Sequence, residues 1–184
     1  MKKVYLLISL AVFAGFMFQS CSKDGDNGIL NFLPEANVVL TDEEATVDEA
    51  SMGTVVGTKV RDLLLITGTK IIGENEKKLL IYVKGSSDGS YPVNISANSL
   101  LSFDLNQINS STVIYYVSKE EYYLLVGGEI TLENTEQKMM SGTFNGQVIP
   151  AHGLKGLSLA EIETLLNNGS LAIDGDFRAY SIKF

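Results

Sequence analysis

MMSGTFNGQVI, residues 139–149, decides the fold class. Met140, Phe144 and Val148 fall on one parity, while Ser141, Thr143, Asn145 and Gln147 fall on the other. That period of two is the mark of a strand with one buried and one open face. Gly142 and Gly146 lie on the apolar parity. Small residues there point to close sheet packing or to a strongly curved strand.

The same pattern extends outward in both directions. Leu63 to Ile66 is apolar on both faces, as in a central strand. Leu79, Ile81 and Val83 alternate with Leu80, Tyr82 and Lys84, and the turn residues SSDGS follow. Tyr91, Val93 and Ile95 face one way, Asn94 and Ser96 the other. Val113 to Val117 and Tyr122 to Val126 flank the charged turn SKEE, and Glu129 to Glu133 comes next. Downstream, LSLAEIETLLNNG predicts a helix over 158–168, with Ser158 as N-cap, Glu161 as its capping-box partner and Asn168-Gly169 as the stop. Leu159, Ile162, Leu165 and Leu166 form its apolar stripe. Phe177 to Phe184 reads as a closing strand. About nine short strands and one covering helix make an all-β domain, either an antiparallel sandwich or a partly open barrel.

Composition bounds the chemistry. The 184 residues carry 14 Lys plus Arg and 22 Asp plus Glu, a formal net charge of -8. This is one domain's length, and its acidity repels phosphate backbones, which argues against nucleic acid as a partner. One Cys and one His exclude an internal disulfide and the usual zinc ligand sets, and no cofactor motif is present. Glycine-rich phosphate loops, GxSxG and HExxH are all missing.

The chain opens MKKVYLLISLAVFAGFMFQSC: two lysines, an uncharged run of 15 residues from Val4 to Phe18, then Ser20 before the only cysteine. That is the layout of an export signal, and the run is short of the ~20 residues a helix needs to cross a bilayer. FQSC resembles a bacterial lipobox, with cleavage between Ser20 and Cys21. Ser20 supplies the small residue, while Phe18 and Gln19 depart from the commonest letters. The resemblance implies an acylated, palmitate-type anchor on Cys21, which makes the lipid bilayer a partner. Lipidation also consumes a thiol that would otherwise stand unpaired in an oxidising compartment. The following SKDGDNG resembles the acidic surface-export tag of Bacteroidota lipoproteins, with Asp24 and Asp26 at the matching positions. An ordinary polar linker is the alternative. Asp24, Asp26 and Asn27 lack the later ligands of a calcium loop.

Charge is unevenly spread. Residues 22–51 hold eight acids and one base, whereas residues 52–184 hold 14 acids and 11 bases. An acidic stretch beside an anchor is repelled by anionic headgroups and stays extended. The chain therefore divides into a signal peptide (1–20), a lipidated acidic tether (21–44) and a β domain (45–184). Within the tether, NVVLT at 37–41 is a candidate extra strand.

The succession LLLITGTK, KKLLIYVKG, DGSYPV, GGEITLEN, MMSGTFNG and LAIDGDF resembles a family of small Bacteroidota lipoproteins whose domain has no assigned function. The likeness spans roughly two thirds of the chain. It rests on Gly128 to Thr131, Ser141 to Phe144 and Gly175 to Phe177, which are turn and core residues. It implies an outer-membrane lipoprotein facing the cell exterior and an all-β fold, and it carries no catalytic residues.

Candidate chemistry is sparse. His152 in PAHGLKG has no local nucleophile or orienting acid, so an incidental loop histidine is the expectation. Asp174-Gly175-Asp176 offers two carboxylates, but a β-turn explains the same letters. Tyr115, Tyr116, Tyr122 and Tyr123 are the candidate binding surface. One member of each pair faces outward on adjacent strands, forming either a platform for a glycan or protein partner or a cross-strand aromatic pair. The expectation is a non-enzymatic, anchored binding or structural module. The alternatives are an open barrel carrying an apolar ligand and a hydrolase built on His152, Asp174 or Asp176.

Overall fold

The protein is described by a computed structural model over residues 33–182, apart from 44, 61, 74, 105–107 and 109. The signal segment, Ser20, Cys21, Asp24 and Asp26 lie outside the described residues. Alternating burial sets the elements. In chain order they are β1 (Glu35–Asp42), β2 (Ala45–Met52), β3 (Thr54–Val60), β4 (Leu63–Ile72), β5 (Asn75–Lys84), β6 (Gly89–Asn94), α1 (Ala97–Leu101), β7 (Thr112–Tyr116), β8 (Tyr122–Glu133), β9 (Met139–Pro150), α2 (Leu159–Asn168) and β10 (Leu171–Ile182).

All ten strands join one sheet, and seven of them (β3, β4, β5, β7, β8, β9 and β10) close into a barrel. The all-β fold with a covering helix agrees with the sequence reading. The barrel is closed rather than partly open, and the seal is a short parallel contact between β10 and β3, from Tyr180↔Val56 to Ile182↔Thr58. Two strands of 12 residues make closure possible by changing neighbours along their length. One edge of β8 pairs with β7 at Tyr122–Leu124 and with β6 from Gly127 to Leu132. One edge of β10 pairs with β1 from Leu171 to Arg178 and then with β3. β9 lies along the other edge of both.

A strand that changes neighbours must bend, and glycine marks where. The β8–β9 register shifts between Leu125 and Gly127, and Gly128 and Gly146 then face each other with φ of 141° and 142°. A Cβ on either would meet a carbonyl oxygen of the opposite strand at 2.1 Å. Farther along, two reciprocal pairs lock β9 to β10: Phe144 opposite Gly175, and Phe177 opposite Gly142. A Cβ on Gly175 would lie 2.3 Å from the Phe144 ring, and one on Gly142 would lie 2.5 Å from the Phe177 ring. Each aromatic ring thus covers a cross-strand glycine. The three short motifs noted in the sequence meet in this one patch of β8, β9 and β10.

Two sequence expectations change here. Asp174-Gly175-Asp176 is not a turn: it lies inside β10, paired with β1 on one side and β9 on the other. Pairing on both edges outweighs the local turn preference, and Gly175 is required by the Phe144 ring. The sheet also begins before residue 45, because β1 pairs in full with β10 and the compact unit runs from Pro34.

Inward side chains fill the barrel. Ile66, Leu79, Ile81, Tyr115, Phe144 and Phe177 are all buried. The β1–β2 hairpin adds Val38, Leu40 and Met52 to that core, with Met52 against the Gly68 site of β4. The opposite face of β7 and β8 is covered too, since Ile114 and Leu124 are fully buried although their parity opposes that of Tyr115 and Tyr123. A strand pair buried on both faces reads as a continuous apolar run, as TVIYY and YYLLV do.

The helix α2 matches its predicted bounds. Ser158 accepts from the Glu161 N–H, and the Glu161 carboxylate accepts from the Ser158 N–H at 2.7 Å. The Ser158 hydroxyl also donates to that carboxylate at 2.6 Å, and this bond first, then the one from the Ser158 N–H, holds the Glu161 carboxyl below the usual carboxylate range. At the other end Gln147 of β9 donates to the carbonyl oxygens of Leu166 (2.8 Å) and Gly169 (3.3 Å), satisfying groups a helix terminus leaves open. Ser158→Ala is expected to lower stability by about 1 kcal/mol in urea denaturation. An unchanged midpoint would mean that the cap contributes nothing to the fold.

Candidate functional site

The tyrosine pairs divide between the two faces of the barrel wall. Tyr115 and Tyr123 point inward and are buried, so they leave the candidate binding surface. Tyr115 donates to Asp48 Oδ2 at 2.6 Å, and Tyr123 donates to Glu121 Oε1 at 2.6 Å. Burial pushes the Tyr115 hydroxyl far up, with the Asp48 bond and charge adding to it. Tyr123 is pushed up to about 12, first by burial and then by its bond to Glu121 and the nearby negative charges. Both hydroxyls stay protonated at neutral pH and act as donors, not as nucleophiles.

Tyr116 and Tyr122 point outward and stack on each other, with ring centroids 5.0 Å apart and planes 25° apart. This is the cross-strand pair rather than a flat platform, because each ring spends one face on the other. Tyr116 is pushed up to about 12, mainly by burial and then by Tyr122 and Tyr82.

Beyond the stack Tyr122 lines a cavity of about 350 Å³ on the outside of the barrel. Its apolar wall is Leu100 and Leu101 of α1, Phe103, Tyr122 and Leu154. Asp104, His152 and Lys155 supply polar groups. Three local features build it. The Ala151 N–H donates to the Tyr122 carbonyl at 2.9 Å, which carries the chain after β9 back to the start of β8 and sets His152 beside Tyr122. The Leu154 N–H then donates to Ala151, and the Leu157 N–H to Leu154, as two successive turns. On the other side Ser96 caps α1 by accepting from the Ser99 N–H, and α1 buries Leu100. Sequence reasoning singled out Tyr122 and His152 but passed over α1. Five residues are too few to show a helical period, and the Ser96 cap was the only local signal.

His152 is exposed and shares the cavity with Asp104, a residue engaged in an interaction of its own. Asp174 and Asp176 do not line that cavity. They project from the exposed face of β10, where Asp176 accepts from the Asn37 side chain at 3.2 Å. The three residues a hydrolase would draw on are therefore not assembled. Among the described residues no group of three or more His, Cys, Asp or Glu could hold a metal ion, and no helix is long and apolar enough to cross a membrane.

A second cluster lies under the β1–β2 hairpin. Asp48 of β2 accepts from Lys77 Nζ of β5 as well as from Tyr115 of β7, and Lys77 also donates to the Glu49 carbonyl at 3.1 Å. The two charged side chains are only 14% and 18% exposed. Lys70 stands directly opposite Lys77 across β4 and β5. This arrangement latches the hairpin to the barrel.

No protein-family model, curated protein or solved structure matches this chain.

Proposed function

We propose that this chain is a lipid-anchored bacterial lipoprotein of the Bacteroidota type, held on the outer membrane through Cys21 and facing the exterior. Its β domain serves as a non-catalytic binding module for a glycan or protein partner. The anchor rests on the signal layout and the FQSC box. Several acyl chains, at about 0.8 kcal/mol per buried CH₂, hold a protein on a bilayer essentially permanently. The binding reading rests on one observation above all: the outward wall at Tyr122 opens into a cavity with an apolar lining and polar groups. Convergence of that kind is what ligand sites use. An apolar cargo inside the barrel has less behind it, because Tyr115, Phe144 and Phe177 occupy inward positions.

Cys21→Ser is expected to move the protein from the membrane fraction to the soluble fraction. Persistent membrane attachment of that variant would instead mean an uncleaved hydrophobic helix. Protease shaving of intact cells checks the outward orientation. On a glycan and protein array, Tyr122→Ala is expected to abolish capture while circular dichroism shows the variant still folded, its stability lowered by the lost Tyr116 stack. Undiminished capture would remove the Tyr122 wall from the binding surface.

A further inference from the structure

We infer that the cavity between α1 and the loop after β9 takes a small amphipathic anion, an aryl or short acyl body bearing one carboxylate or similar group, with Lys155 as its counter-ion. The inference rests on the binding-module reading and narrows its ligand. Size sets the first limit. A cavity of about 350 Å³ lies at the small end of the ~300–1,000 Å³ typical of small-molecule sites. It suits one ring or a short chain rather than an oligomer.

Its lining sets the second. Leu100 and Leu154 are buried at the base, and Phe103 and Tyr122 contribute aromatic surface. Tyr116 already covers one side of the Tyr122 ring, which fixes that ring's orientation. A fixed aromatic wall offers contact area at low entropic cost. An apolar body therefore has a preformed place to sit.

Charge sets the third. Lys155 is exposed at the cavity and makes no ion pair among the described residues. Asp104, the one acid in the lining, has an interaction of its own. His152 adds a second group able to donate a hydrogen bond to an anion. Lys155 is thus the cation of the lining that can pair with a negative head on an apolar body, with His152 as a further donor.

Three probes of one shape separate these contributions: phenylpropionate, phenylpropanol and phenylpropylamine. Each is titrated by calorimetry and saturation-transfer NMR into the full lipidated chain in phosphatidylcholine nanodiscs, with empty nanodiscs as the blank. Phenylpropionate is expected to bind about three- to five-fold tighter than the alcohol, the size of a solvent-facing ion pair. Lys155→Gln should erase that preference while leaving the alcohol unchanged, and Phe103→Ala should weaken both. Tighter binding of the amine, or an unchanged preference in Lys155→Gln, would overturn the inference. Should none of the probes bind while the array still captures a glycan or protein, the small-ligand site falls and the binding-module reading stands.

Discussion

Gly142→Ala is expected to cost at least about 4 kcal/mol, most of the stability of a marginal domain. The added Cβ would lie 2.1 Å from the Thr131 carbonyl oxygen and 2.5 Å from the Phe177 ring. The first neighbour is backbone, held in place by the β8–β9 ladder in which Leu132 faces Gly142. The second is one of the largest fully buried side chains, set in a close-packed core. Relief would require β9 to leave β8 or β10, and with it the barrel. Gly53→Ala is the matched control, because a Cβ there meets nothing within 4 Å; it should stay within about 0.5 kcal/mol of the parent. Urea denaturation followed by circular dichroism reads both. If Gly142→Ala were as stable as Gly53→Ala, the cross-strand packing of glycine under Phe177 would not be what holds β9 to β10.

Asp48→Ala is expected to destabilise by about 2–4 kcal/mol, the range for a mostly buried charge pair that loses one partner. Three consequences act together. Tyr115, fully buried, loses the acceptor of its hydroxyl. Lys77, 14% exposed, loses its counter-charge. Lys70, directly opposite Lys77 in the β4–β5 register, adds a like charge beside it. The pair is too sheltered to be discounted as a surface salt bridge. The Asp48→Ala/Lys77→Met double variant should recover part of the loss, since it removes the uncompensated charge. Amide hydrogen exchange should show β2 opening before the barrel strands in Asp48→Ala. A single variant within about 0.5 kcal/mol of the parent, or a fully additive double variant, would mean that Asp48 does not latch the hairpin.

Much of the fold is written locally. Period-two alternation in MMSGTFNGQVI places Phe144 and Val148 inside and Thr143 and Asn145 outside, and their burial follows that pattern. The α2 helix is legible for a similar reason, because the Ser158–Glu161 capping box lies within four residues. The β1 strand is less legible. EANVVLTD does alternate, but its acidic surroundings hide a segment that only β10 makes into sheet. In LAIDGDF the local letters point to a turn, and nothing nearby reveals that Gly175 must accommodate the ring of Phe144, 31 positions upstream.

The candidate site divides in the same way. Tyr122 and His152 stand out as single letters, but their meeting depends on the Ala151 bond to Tyr122 and on α1 closing the far wall. Parity alone placed one tyrosine of each pair outward. Whether the outward rings lay flat or stacked was decided by the β7–β8 register, which sets Tyr116 directly against Tyr122.

By itself, then, the sequence determined the all-β class and the bounds of α2, because each depends on residues adjacent along the chain. The tertiary structure alone decided that the barrel closes, that residues before 45 belong to the sheet, and that one tyrosine, one histidine and one lysine share a cavity. Those depend on contacts between residues far apart in sequence, where pairing partners and packing space, rather than local preference, set the outcome.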